Sequence, residues 1–388
     1  MKRKFSLFVA IVMIFSIIAV GCGQQGATNQ PKEDVIKIGV FEPLTGTNAA
    51  GGALELEGIK LANKLHPTAL GKKVELVILD NKSDKVEAAN AATRLVDQDK
   101  VSVVLGSWGS GLSIAAGVVF KDAGVPAIGT SATNPLVTLN NDYYFRVCFI
   151  DPFQGNVMAN YAFNQVKVKK VAFIIEKSND YSVGLAKFFE DTFKQLTGDD
   201  KAIVYRGYYN TGDQDFTAQL TGIKASGAEA IFAPGNFTES ALIMKQAKEL
   251  GLTLPILGGD TWETPDVIEV AGLAAEGIVF STFFDANAKL TATTTEFLEA
   301  YSKEYGKEPA AVTALGYDAY LLALNAIERA GKAEPQAIRD ALAVTKDFPG
   351  AAGLVSLDAN GDAVKSAVIK TVKNGKFTYL TTVEPIKK

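Results

Sequence analysis

The chain has 388 residues, 47% hydrophobic and 21% charged, with a formal net charge of -4; this is the balance of a globular protein of two or three domains at roughly 100–200 residues each. That composition excludes a disordered chain, a coiled coil and a polytopic membrane protein, and it shows no basic footprint for nucleic acid. Two cysteines exclude a disulfide-dense scaffold and any four-cysteine metal site, while the single histidine, His66, excludes every two-histidine site and leaves a Ser-His-Asp triad one possible base.

Lys2, Arg3 and Lys4 open the chain, and an apolar run follows from Phe5 to Val20, interrupted only by Ser6 and Ser16. Ala19-Val20-Gly21-Cys22 then sets small residues three and one positions before a cysteine. These are the parts of a secretory signal, and the run is short for a span of ~20 residues. With Cys22 at its end, the segment is similar to a bacterial lipoprotein signal, cleaved after residue 21 and lipidated on Cys22. Ala19 stands where leucine is more usual there, and Val20 where a small residue is. Residues 22–34, rich in Gly, Gln, Asn, Thr and Pro, have little to bury and form a tether. The body is therefore expected outside the cytoplasm, anchored by lipid to the cell membrane. Cys148 is then left alone, as a buried and inert thiol with no structural disulfide.

From Ile36 short apolar runs alternate with helical stretches. Strands are expected at 36–41, 74–80, 101–106 and 126–129, then at 170–176, 203–208, 230–234, 255–258 and 277–281. Many are apolar on both parities, as in parallel strands covered on both faces. Ala88, Ala91, Ala92, Leu95 and Val96 form one helical stripe, and Leu185, Phe188, Phe189, Phe193 and Leu196 another; both read as core faces rather than cofactor boxes. Helices are expected at 291–305, 312–330 and 335–343. The tail alternates over 363–373 and 376–383 around Asn374-Gly375, a hairpin signal. This alternation predicts an α/β protein of two doubly wound parallel-sheet lobes with a break near Asp151-Pro152. Ligands of such sheets bind beyond the carboxyl ends of the strands, so facing strand ends make a cleft.

No phosphate loop of the G-x-x-x-x-G-K-[ST] kind and no G-x-S-x-G elbow is present in the sequence. His66 precedes Pro67 at an expected helix end and reads as a solvent-facing residue. What remains is a set of small hydroxyl residues after two adjacent strands. Ser107 and Ser110 follow the third; Thr130, Ser131 and Thr133 follow the fourth. Both segments are expected to lead into helices, where hydroxyls and helix-start N–H groups suit a carboxylate. The same residue types cap helices, and the residues alone leave both roles open.

Six segments in order carry a family resemblance. Ile36-Lys37-Ile38-Gly39-Val40 with Pro43-Leu44-Thr45-Gly46 resembles the first strand and loop of the Leu/Ile/Val-binding family, the type I periplasmic binding lipoproteins and proteins that serve ABC importers. Gly106-Ser107 with Ser110, and Thr130-Ser131-Ala132-Thr133-Asn134-Pro135, resemble its two carboxylate-binding loops. Glu176, Tyr181-Ser182 and Gly184 resemble the turn after the first strand of the second lobe. Gly212-Asp213-x-Asp215-Phe216 and Ala274-Ala275-Glu276-Gly277 complete the set. The likeness runs from about residue 35 to 386.

The resemblance implies a clamshell joined by three crossings, near Asp151, Thr282 and Ser356. It divides the chain into a signal (1–21), a tether (22–34), a first lobe (35–151 and 283–356) and a second (152–282 and 357–388). It implies that Ser110 and the loop of Ser131, Ala132 and Thr133 hold an α-carboxylate, and that Tyr181 contacts the ligand from the opposite lobe. Asp260 stands where an acidic residue pairs with the α-ammonium; as a residue it could also cap a helix starting near Pro265. Trp108, Phe237 and Trp262 adjoin the matched positions and either line the side-chain pocket or belong to the core. Gly51 stands where some relatives carry an aromatic residue, which leaves the pocket's shape open. The partners implied are an amino acid, branched-chain or otherwise apolar, and an ABC permease; no cofactor, no metal, no catalysis and a monomer are expected. A sensory receptor using the same clamshell, a small carboxylate or amide as ligand, and an enzyme built on a carboxylate pair are the competing readings.

Overall fold

The computed structural model describes residues 35–288 and 290–385; the expected signal, tether and lipidated Cys22 lie outside the described residues. In chain order, β1 (Ile36–Glu42), α1 (Ala49–Leu65), β2 (Thr68–Ala69), β3 (Lys72–Asp80), α2 (Lys85–Asp97), β4 (Val103–Leu105), α3 (Ser110–Ala123), β5 (Ala127–Gly129) and β6 (Tyr144–Arg146) build one sheet and its helices. Next come α4 (Asp151–Tyr161), β7 (Val171–Glu176), α5 (Asp180–Thr197), β8 (Ile203–Tyr209), α6 (Thr217–Ser226), β9 (Ala230–Phe232), α7 (Phe237–Glu249), β10 (Ile256–Gly258), α8 (Pro265–Ala271) and β11 (Val279–Thr282). The chain continues through α9 (Ala292–Tyr305), α10 (Ala311–Ala330), α11 (Pro335–Ala343), a ribbon of β12 (Phe348–Gly350) and β13 (Gly353–Val355), and the hairpin β14 (Ala367–Lys373) and β15 (Lys376–Val383).

The first sheet runs β2-β3-β1-β4-β5-β6 and the second β15-β14-β11-β10-β9-β7-β8. From β3 to β6, and from β8 to β11, every pairing is parallel; only β2, β14 and β15 are antiparallel. In each sheet the order reverses beside the first strand, β1 or β7, which opens a crevice past the strand ends. The chain passes between the two sheets after β6, after β11 and after β13. Aromatic rings pack at the first two passages, Phe149 against Phe283 at 4.5 Å and against Phe153 at 6.0 Å.

Local chemistry explains the elements. The Asp84 carboxylate accepts from the Val86 and Glu87 N–H groups and starts α2, whose buried face is Ala88, Ala91, Ala92, Leu95 and Val96. Asn179 caps α5 through the Tyr181 N–H, and Leu185, Phe189 and Phe193 fill the core beneath it, while Phe188 and Leu196 are only half buried. All six residues of β7 are buried, as a doubly covered parallel strand requires. Helix α10 crosses α1 closely: a Cβ on Gly316 would lie 2.2 Å from the Glu55 carbonyl oxygen, so glycine is needed there. Asn374 and Gly375 both take positive φ, the turn that matches hairpin twist.

Two features differ from the sequence expectation. Strands β2, β6, β12 and β13 lie outside the expected strands; each has two or three residues, and a polar residue or a proline interrupts the apolar pattern in all but β13. The segment 130–134 leads into only one turn of 3-10 helix, Pro135–Val137, not into an α-helix, because Pro135 fixes that turn and Asn134 caps it.

Candidate ligand-binding cleft

The carboxyl ends of β1, β4 and β5 face those of β7, β9 and β10 across a small cavity of about 100 Å³. Trp108, Ser110, Ser131, Tyr181 and Asp260 line it; Thr133, Ala132 and Phe237 do not.

The first wall is built from α3 and the loop after β5. Gly109 is the N-cap of α3 and offers no side chain, so Ser110 is the first helical residue and no cap. The Ser110 hydroxyl accepts from the Asn134 N–H (3.1 Å), which leaves its own proton free for the cavity. The first intrahelical donors are Leu112 and Ser113, both to the Gly109 carbonyl, so the Ser110 and Gly111 N–H groups point out of the helix start. Across the loop, the buried Arg146 guanidinium donates to the carbonyls of Ala132 and Asn134 and to the Thr138 hydroxyl (2.7 Å), and pairs with Asp362 at 2.7 Å. It holds the loop from behind and consumes the Ala132 carbonyl.

Two expectations for this wall change. Thr133 is buried and does not line the cavity; its carbonyl accepts from the Asp151 N–H (2.9 Å) at the start of α4, and its hydroxyl has no hydrogen-bond partner among the described residues. Burial pushes Asp151 up to about 8, so it is protonated at neutral pH. Ser107 accepts from Asn81 Nδ2 (2.8 Å) and donates to the Trp108 carbonyl (3.0 Å), and Thr130 donates to Glu55; neither reaches the cavity.

The second wall carries charge. Asp260 begins the 3-10 turn after β10 and is buried. Its Oδ1 accepts from the Tyr181 hydroxyl (2.9 Å) and from Gln154 Nε2 (2.6 Å), which also reaches Ser281 Oγ (3.0 Å). No lysine or arginine pairs with it among the described residues, and desolvation pushes it up to about 6, with Gln154 and Tyr181 acting against the shift. It does not cap α8, whose N-cap is Thr264. Glu176 also lines the cavity, its carboxylate accepting from Asn179 Nδ2 (2.8 Å) and the Thr211 hydroxyl.

Contacts between the walls close the mouth. Lys85 on α2 pairs with Asp180 on α5 at 2.7 Å. Asn236 donates to Asn48 Oδ1 (3.0 Å), and Asn134 donates to the Asp180 carbonyl (2.8 Å). The Trp108 and Phe237 rings meet edge to face at 5.8 Å. Gly51 lies in α1, and a Cβ there would fall 2.4 Å from the Trp108 indole; the indole occupies the space that the glycine leaves, so the pocket is not enlarged. Trp262 is core against Phe280. Cys148 is free and buried, with its thiol pushed up by desolvation, as an inert thiol should be. His66 terminates α1 half exposed, 3.2 Å from Glu296. The cross-cleft residues Asn48, Lys85, Asp180 and Asn236, and Gln154 behind Asp260, carried no sequence signal, because their roles exist only once the walls meet.

Two doubly wound lobes around one polar cavity define a clamshell solute-binding protein. The chain matches the model of the periplasmic binding protein family over residues 35–376 and belongs to that family. Its fold is similar to that of a leucine-binding protein from Thermotoga maritima, at 43% identity and TM-score 0.88, covering 90% of this chain and 99% of that one. It is also similar to a branched-chain amino acid transporter substrate-binding protein from Streptococcus pneumoniae, solved with isoleucine, at 37% identity and TM-score 0.84, covering 90% and 100%. In sequence it is 29% identical over 354 residues to Leu/Ile/Val-binding protein homolog 1 of Brucella abortus, covering 89% of this chain and 93% of that one. These relatives are binding proteins, not enzymes, and the family is extracytoplasmic. Among the described residues no cluster could hold a metal and no helix is long and apolar enough to cross a membrane.

Proposed function

We propose that this protein captures an α-amino acid with a compact apolar side chain, branched-chain ones first, and delivers it to an ABC permease. The observation that carries this reading is Asp260: a buried carboxylate without a cation, across about 100 Å³ from the free donors of Ser110 and Gly111. A buried charge is costly unless paired. An α-ammonium supplies the pair, and an α-carboxylate takes the helix-start donors. Ser131, Tyr181 and Trp108 complete the lining, with Phe237 behind Trp108 and the loop at Ala132 and Thr133 giving backbone support.

The expected lobes, 35–151 with 283–356 and 152–282 with 357–388, then open and close about the three crossings, and ligand touching both walls holds them shut. Lipid on Cys22 keeps the monomer beside its permease; Cys22→Ser moves the protein from the membrane to the soluble fraction. The test of the ligand is a thermal-shift panel of amino acids, small carboxylates, amides and aromatic acids. A ligand at ~100 times its dissociation constant adds about 2.7 kcal/mol. Shifts with valine, isoleucine or leucine support the reading. Shifts only with ligands lacking an α-ammonium overturn the amino-acid assignment.

A further inference from the structure

Behind the first wall lies a second pair of acids that the ligand does not touch. Glu42 ends β1 and Glu55 sits on α1; both are fully buried, with their carboxyl groups within hydrogen-bonding reach of each other. Each also holds one of the two ligand loops. Glu42 Oε2 accepts from the Trp108 N–H (2.8 Å), in the loop before α3. Glu55 Oε2 accepts from the Thr130 hydroxyl, in the loop after β5 that carries Ser131. The remaining oxygens, Glu42 Oε1 and Glu55 Oε1, have no protein donor. Two carboxylates cannot hydrogen-bond without a proton between them.

We propose that Glu42 and Glu55 share one proton and act as a clasp, a pair of positioning residues that fixes the spacing of the two loops that grip the ligand carboxylate. The proposal rests on the reading of the cleft as the ligand site. The shared proton does two things. It turns a like-charge contact into an acid–carboxylate hydrogen bond, and it leaves one negative charge rather than two behind a wall meant for an anion. The titratable neighbours agree with one retained proton. Burial first, then Glu55, pushes Glu42 well above the ordinary carboxyl range, and burial raises Glu55 to about 7. The other titratable groups that feel the pair are Asp260, acting on Glu55, the buried Tyr144 phenol, acted on by Glu42, and the buried Cys148 thiol, acted on by Glu55.

The test uses infrared spectroscopy and ligand titration on the full-length protein in detergent. A protonated carboxyl gives a C=O stretching band that a carboxylate and an amide lack. Either Glu42→Gln or Glu55→Gln supplies an N–H in place of the shared proton, so each single variant loses one carboxyl's share of the band at neutral pH. A proton that belonged to Glu42 alone would leave the band intact in Glu55→Gln, and that result overturns the clasp. In titrations with isoleucine, Glu42→Gln retains affinity within about threefold, because the pair keeps its hydrogen bond and its single charge, whereas Glu42→Ala loses tenfold or more with an unpaired Trp108 N–H. Equal losses in both variants, or none in Glu42→Ala, also overturn it. Should Glu42→Ala not fold, the band comparison and the Gln variant decide. The infrared arm needs no ligand, so the clasp is tested even if no amino acid binds.

Discussion

The two walls of the cleft solve opposite problems. The wall from α3 and the loop after β5 offers uncharged donors, and most of its polar atoms are satisfied within the protein: Ser110 by Asn134, Ala132 by Arg146, Thr130 by Glu55. The wall from β10 holds a buried carboxylate with only neutral donors around it. The first wall keeps only uncharged donors for a ligand, the Ser110 hydroxyl and the N–H groups at the start of α3. The second is left electrostatically unfinished, and a cation from outside completes it. Such a division places most of the discrimination between ligands on Asp260, because an unpaired buried charge distinguishes ligands more sharply than a set of dipoles does.

The largest effect expected from breaking this contrast is at Asp260. Asp260→Asn keeps an acceptor for Tyr181 and Gln154 but not the charge, and amino-acid affinity should fall by about 3–5 kcal/mol, the cost of removing one partner of a buried pair. The free protein should become more stable at neutral pH by up to about 3 kcal/mol, since a carboxyl raised from 3.8 to about 6 opposes folding when ionised. Calorimetric titration and thermal melts read both; a variant that binds within tenfold of wild type sinks the assignment.

On the opposite wall, Ser110→Ala removes one donor to a carboxylate and should weaken binding by about 1.5–3 kcal/mol. The free protein should lose stability, because the buried Asn134 N–H loses its acceptor, whereas Asp260→Asn gains it; a shift of the same sign in both variants would erase the contrast between the walls.

The pH dependence sharpens the same contrast. Ammonium binding needs Asp260 ionised, and its free-state pKa is raised to about 6. Affinity should therefore fall as pH drops through 6, by about tenfold between pH 7 and pH 5. The sign is opposite for the stability of the free protein. There the folded state holds the proton more tightly than the unfolded chain, so Asp260's contribution is most favourable at low pH and is lost as pH rises from about 4 to about 6. Asp260→Asn should abolish this acid limb in titrations across that range.

The smallest effect belongs to the mouth. Lys85 and Asp180 pair at 2.7 Å, but their side chains are 52% and 38% exposed. Lys85→Met should cost at most about 1 kcal/mol in ligand affinity and less at high salt. A larger, salt-insensitive loss would show that closure, rather than the walls, dominates the binding energy.

Much of the scaffold was legible before any coordinates. Both-parity apolar strands such as β7, the stripe on α2 and the Asn374-Gly375 hairpin are local patterns, and their periods state which face is buried. Ser110, Asp260 and Tyr181 were reached through motif order at strand ends, which a doubly wound sheet brings together. The orientation of side chains was not legible. Thr133 and Thr130 lie in the same loop as Ser131, yet neither lines the cavity, and the Thr130 hydroxyl turns to Glu55, because that acid arrives from α1, distant in sequence. Gly51 looked like a gap in the pocket, and only packing places the Trp108 indole over it.

By itself, then, the sequence determined the alternation of elements, the two-lobed class and the short list of residues at strand ends, because these follow from periodicities and turn chemistry within a few residues. Tertiary structure alone decided which hydroxyls keep a free proton, which carboxyls share one, and that Asp260 has no cation beside it. Those properties depend on desolvation and on partners tens to hundreds of residues away, and no local pattern encodes either.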